Sequence, residues 1–165
     1  MIIEEFIENP HPFLAGMSEE HLRLLGQNVV ESHFAPGDVI FREGERANRF
    51  YLVQRGEVGL QTHAGGKAAT IQVIRGGEVL GWSWLFPPHH WHFDARAQKD
   101  TETLVLDATA LDVPGLRERS EIDTALGYEL MKRVAKVVVS RLQATRLKFV
   151  QSHKEQLRMA AEMAA

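Results

Sequence analysis

A chain of 165 residues with 44% apolar and 25% charged side chains can bury one good core and is too apolar to be disordered. It has no cysteine, which excludes disulfides, thiolate metal sites and thiol catalysis and suits a cytoplasmic protein. No apolar run approaches the roughly 18 residues that span a bilayer, and the acidic start, with Glu4, Glu5 and Glu8, is unlike a secretory signal.

Residues 1–28 read as a helical, amphipathic segment. Ser18 is an N-cap followed by Glu19 and Glu20 in the first turn, then Leu22, Leu24 and Leu25, with Gly26 as the stop. Residues 29–108 change character. Glycines at 37, 44, 56, 59, 65, 66, 76, 77 and 81 punctuate short β-branched and aromatic runs: Val29-Val30, Val39-Ile40-Phe41, Phe50 to Val53, Val58 to Leu60, Ile71 to Ile74 and Leu104 to Leu106. Short strands at this spacing predict a roll or barrel. Pro36-Gly37-Asp38 reads as a tight turn and Ala64-Gly65-Gly66 as a hairpin tip.

Residues 109–165 return to helical pattern. A short helix is expected over Thr109 to Arg119, broken near Pro114-Gly115. A long one follows from about Ile122, with Leu126, Leu130, Val134, Val138 and Leu142 spaced by four. Further apolar residues at 137, 139, 147, 149 and 150 give this helix a second apolar side, which predicts a second neighbour: the same helix of another copy in a two-fold homodimer. Between Lys132 and Arg158 stand eight basic residues and one acid, Glu155. That is a solvated face or a docking surface for an acidic protein partner; with an overall pI of about 6.2, nucleic acid is poorly matched.

The run Phe34-Ala35-Pro36-Gly37-Asp38-Val39-Ile40-Phe41-Arg42-Glu43-Gly44-Glu45, with Phe50 to Val58 after it, resembles the cyclic nucleotide-binding domain of the Crp/Fnr regulators and protein kinase A regulatory subunits. Arg141-Leu142-Gln143-Ala144-Thr145 is similar to the middle of the family's dimerisation helix. The resemblance implies a mainly β fold with some α: a double-stranded, jelly-roll-like β-roll flanked by N-terminal helices and a long C-terminal helix, all one domain. It implies a regulatory or ligand-sensing module and not an enzyme. No helix-turn-helix pattern follows the long helix, so a DNA-binding domain is not expected within this chain.

The family's ligand cassette places a Glu on the ribose and an Arg on the cyclic phosphate. In the preferred register Gly81 takes the cassette glycine, Trp82 falls at the ribose Glu, and Trp91 and His92 fall at the phosphate Arg and its hydroxyl partner. Usual cyclic nucleotide binding is then not expected, and no cofactor is implied. In an alternative register Glu78 serves the ribose and Arg96 the phosphate. Thr145 matches a family threonine that reaches the base across the dimer, and Arg146 follows it.

Three readings stand open for 81–97. Aromatics Trp82, Trp84, Phe86, Trp91 and Phe93 fill the nucleotide space. Or a planar or anionic ligand sits among Gly81, Trp82, Ser83, Trp84, His90, Trp91, His92 and Arg96. Or His90 and His92 hold a metal as in cupins, with Arg96 opposing it by charge. Arg96 otherwise forms a salt bridge to Asp94 or Glu102. Gly81-Trp82-Ser83-Trp84 resembles a nucleophile site only superficially, since no strand-to-helix elbow is expected there.

Overall fold

The computed structural model describes residues 3–107 and 120–165, with side chains from Thr124 onward in the second segment. The chain divides into two units, residues 1–123 and 124–165. In the first, helix α1 (Ile3–Glu8), a 3-10 turn (Pro12–Leu14) and helix α2 (Glu19–Gly26) precede the sheets. Ser18 caps α2 as its sequence predicts, its hydroxyl accepting the His21 N–H at 3.3 Å.

Eight strands follow: β1 (Val29–Phe34), β2 (Val39–Phe41), β3 (Arg49–Arg55), β4 (Glu57–Ala64), β5 (Lys67–Arg75), β6 (Val79–Leu80), β7 (Asp94–Ala97) and β8 (Thr101–Asp107). They form two antiparallel four-stranded sheets, ordered β1-β8-β3-β6 and β2-β7-β4-β5. Strands adjacent in sequence fall largely in different sheets, the signature of a roll. The sheets share a core of Phe41, Val53, Val58, Ile74, Leu80 and Ala95, with Phe34, Ile40 and Leu60 packed against it.

The N-terminal segment is tied to the roll by a buried histidine. His11 is 6% exposed; its Nε2 lies 2.8 Å from the Val53 carbonyl on β3, and its Nδ1 accepts the Phe13 N–H at 3.1 Å. These partners require the neutral ring with the proton on Nε2. Burial pushes the His11 pKa down, opposed by the Val53 bond. Unfolded, this group titrates near 6.5. Its neutral-state stabilisation is thus complete above that pH and is lost as pH falls toward the lowered folded value. Thermal midpoints measured from pH 7.5 down to pH 5 should fall for the wild type, and the gap to His11→Asn should narrow. A constant gap would refute the assignment.

The second unit lies on helix α3 (Ser120–Ala164), 45 residues in one piece and about 68 Å long at 1.5 Å per residue. It starts two residues before the expected Ile122. The short helix expected over 109–119 lies outside the described residues. Among the described residues no helix is long and apolar enough to cross a membrane.

Candidate functional site

Segment 81–97 is built by two devices. At Gly81, φ is 97° and the chain leaves β6 for a 3-10 helix, Trp82–Leu85. A Cβ at position 81 would lie 2.8 Å from the Arg49 carbonyl and 3.2 Å from the Trp91 ring, so a side chain there would push the turn off β3. Ser83 sits half-buried inside that single turn.

The second device is backbone pairing to the loop after β2. Ala47 N–H donates to the His89 carbonyl (2.7 Å), Trp91 N–H to Glu45 (2.9 Å) and Gly44 N–H to Trp91 (2.8 Å). The buried Asp94 carboxylate accepts the Glu43 N–H at 2.7 Å. Side chains alternate across an extended segment, so Trp91, Ala95 and Ala97 turn inward and are buried, while His90 and His92 are exposed. Trp91, 5% exposed, stacks on Phe41 with ring centroids 3.9 Å apart and planes 14° off parallel. Tyr51 closes the group, 5.9 Å from Phe41. Burial raises the Tyr51 phenol pKa, opposed by the Arg49 charge and hydrogen bond.

Of the other aromatics, Trp84 packs against this core. Trp82, Trp84 and Phe93 are half-buried and Phe86 is 42% exposed. Trp82 meets Phe86 edge-on at 6.1 Å. Trp84 leans on Phe50 at 6.2 Å, and its Nε1 is buried with no hydrogen-bond partner. The reading in which five aromatics fill the interior is narrowed to Trp91, stacked on Phe41 beside Tyr51, with Trp84 packed against the same core.

The cations and acids are also redistributed. Arg96 alternates with the inward alanines and so leaves the interior; its Nη1 donates to the Gly37 carbonyl at 2.7 Å. Of its expected salt-bridge partners, Glu102 pairs with Arg55 and Asp94 caps the Glu43 amide. Glu78 accepts the Arg75 N–H at 2.7 Å, closing the turn before β6. His89 Nδ1 lies 2.8 Å from the Trp84 carbonyl. Among the described residues, no group of three or more His, Asp and Glu side chains is placed to hold a metal ion. On α3, the Thr145 hydroxyl donates to the Arg141 carbonyl at 2.9 Å and Arg146 is exposed. The residues that sequence reasoning missed are Phe41 and Tyr51. They are ordinary strand aromatics, and only the pairing of the 43–47 and 89–94 segments brings them to Trp91.

A family model described as a cyclic nucleotide-binding domain matches residues 31–112. A putative cyclic nucleotide-binding protein from Geobacter metallireducens, of known structure, is 31% identical, with a TM-score of 0.69 over 86% of this chain and 99% of that one. The chain belongs to the cyclic nucleotide-binding domain family. The N-terminal domain of a transcriptional regulator from Streptomyces coelicolor is 25% identical to this cyclic nucleotide-binding domain, with a TM-score of 0.63 over 84% of this chain and 94% of that one. The cyclic AMP receptor protein of Thermus thermophilus is 31% identical over 96 residues, 58% of this chain and 44% of that receptor. The chain is thus a Crp-like cyclic nucleotide-binding domain of a regulatory protein family.

The position that the resemblance assigns to the phosphate-gripping arginine carries Trp91, turned inward and packed. The arginine nearest in sequence, Arg96, faces away.

Proposed function

We propose that this domain is a cytoplasmic regulatory module that does not grip a cyclic nucleotide through its cassette and acts through protein contacts, as a homodimer joined by α3. The observation that carries this reading is Trp91, buried and stacked on Phe41, at the position that the resemblance assigns to the phosphate clamp. A hydrogen bond to a charged group contributes about 1.5–3 kcal/mol, and a phosphate clamp supplies more than one, so its replacement by an indole weakens binding by orders of magnitude. Calorimetry with cyclic AMP and cyclic GMP up to about 1 mM should show no binding, a level at which ΔG is only about −4 kcal/mol. Micromolar affinity for either would restore the register that uses Glu78 and Arg96.

One observation favours a second reading, a small ligand other than a cyclic nucleotide. A buried donor without an acceptor is uncommon, and Trp84 Nε1 is one, in the same 3-10 turn as the half-buried Trp82. A planar ligand with an acceptor atom would satisfy it. Native mass spectrometry of the purified protein tests this: a stoichiometric co-purifying small molecule supports it, and the bare polypeptide mass argues for the first reading.

A further inference from the structure

Helix α3 carries one face of unmatched charge. Successive residues turn by about 100° around a helix axis. Counted this way from Val150, Val139 and Leu157 fall within about 20° of it and Leu147 within about 60°. All four are exposed, from 47% at Val150 to 64% at Leu147. Lys136 and Lys154 lie about 40° to one side of this apolar line, and Arg146 about 40° to the other. These three are exposed as well.

Nothing within the helix answers those cations. Side chains three and four positions apart are neighbours on a helix, and no residue at these spacings from Lys136, Arg146 or Lys154 is acidic. The two acids after Lys136 are Glu155 and Glu162. Both fall about 120° or more from Val150, and Glu162 pairs with Arg158 at 3.7 Å. Among the described residues no ion pair joins Lys136, Arg146 or Lys154.

We propose that this face docks an acidic amphipathic helix of a partner protein. The partner's apolar stripe lies against Val139, Val150 and Leu157, and its carboxylates against Lys136, Arg146 and Lys154. This rests on the reading above that the module acts through protein contacts. Charge complementarity selects the occupant. A second copy of α3 would bring the same three cations to the face and no acid, whichever way it ran, and like charges set together oppose binding. That leaves the neighbouring side, with Leu142 and Phe149, for a homodimer. A nucleic acid would match the cations but would lay phosphates over the valines and leucine between them, against a net chain charge of −3. A lipid surface is held by a broad apolar face with aromatic anchors, and this line is narrow and holds no aromatic residue. A helix with an apolar stripe between acidic flanks meets both parts of the face, as paired helices do.

The test uses the full chain and a synthetic peptide of about 21 residues, long enough to follow the face from 136 to 157. The peptide carries leucine at steps of three and four, glutamate on both flanks of that line, and a fluorophore at one end. Fluorescence anisotropy at about 50 mM salt should show micromolar binding, one peptide per chain, weakened about tenfold at about 0.5 M salt. Lys136→Glu, Arg146→Glu and Lys154→Glu together should weaken it about a hundredfold. That triple variant should instead bind the peptide whose glutamates are exchanged for lysines, which also shows that its helix is intact. Val150→Ser with Leu157→Ser keeps every charge and should still cost about tenfold. No binding at about 100 μM peptide, binding indifferent to the three reversals, or tighter binding to phosphatidylserine vesicles or duplex DNA than to the peptide would overturn the proposal. The nucleotide calorimetry described above keeps the two readings apart: a chain that binds neither nucleotide nor peptide loses this face alone, and one that binds both keeps the face and loses the reading against a nucleotide.

Discussion

Replacing Trp91 with alanine is expected to lower the stability of the roll by about 3–5 kcal/mol, the cost of emptying a large aromatic site in a packed core. In a chain of this size that moves the thermal midpoint by roughly 10 °C. The figure follows from position and not from residue type. Trp91 is 5% exposed and lies flat on Phe41, in the same core cluster as Val58, Ile74 and Ala95. Ala95, with only a methyl group, cannot refill the space. Trp82 is the internal control: half-buried, with an edge contact to Phe86, it should cost about 1 kcal/mol or less on truncation, as partly exposed sites do. Denaturant unfolding of the two variants checks the contrast. Equal, small losses would mean that the indole at 91 is not a structural filling, and the case against a nucleotide in this roll would lose its main support.

The parts of the roll that sequence made legible are those where local chemistry and tertiary position agree. The Val39-Ile40-Phe41 run became β2 with the same limits, and Leu104 to Leu106 lies at the centre of β8. Strand β6 was illegible because two residues between Gly77-Glu78 and Gly81 carry no period. The first half of β5, Lys67-Ala68-Ala69-Thr70, has little strand propensity of its own and is strand because the hairpin carries the ladder along β4. At the candidate site, the alternation of an extended segment sets Trp91 on the opposite face from its exposed neighbours His90 and His92. The fates of Arg96 and Glu78 did not follow, because their partners are backbone groups: the Gly37 carbonyl, distant in sequence, and the Arg75 amide. Sequence shows side chains, and these two acts of capping depend on where the main chain runs.

The glycine at 56 gives the second large effect, and it separates two reasons for a glycine that sequence cannot tell apart. Gly56 joins β3 to β4 with a φ of +103°, and a Cβ there would stand 2.4 Å from the Asp100 carbonyl oxygen and 2.6 Å from the Thr101 Cα. Those atoms are backbone, at the start of β8, the strand that pairs with both β1 and β3. Thr101 itself is fully buried and bonds the Lys99 carbonyl at 2.8 Å, so it cannot retreat without opening the sheet. Gly56→Ala therefore combines the left-handed backbone cost of about 1–2 kcal/mol with an overpacking cost of about 1–3 kcal/mol. A loss near 3 kcal/mol is expected, or roughly 10 °C in thermal midpoint. Gly65, at the β4–β5 hairpin tip, has a φ of +59° and nothing within 4 Å of its would-be Cβ. Gly65→Ala meets only the backbone term, about 1 kcal/mol. If the two variants melt together, the close approach of β8 to Gly56 is not what fixes that position. If they separate as expected, the glycine at 56 is a packing requirement that holds the central strand of the first sheet in register.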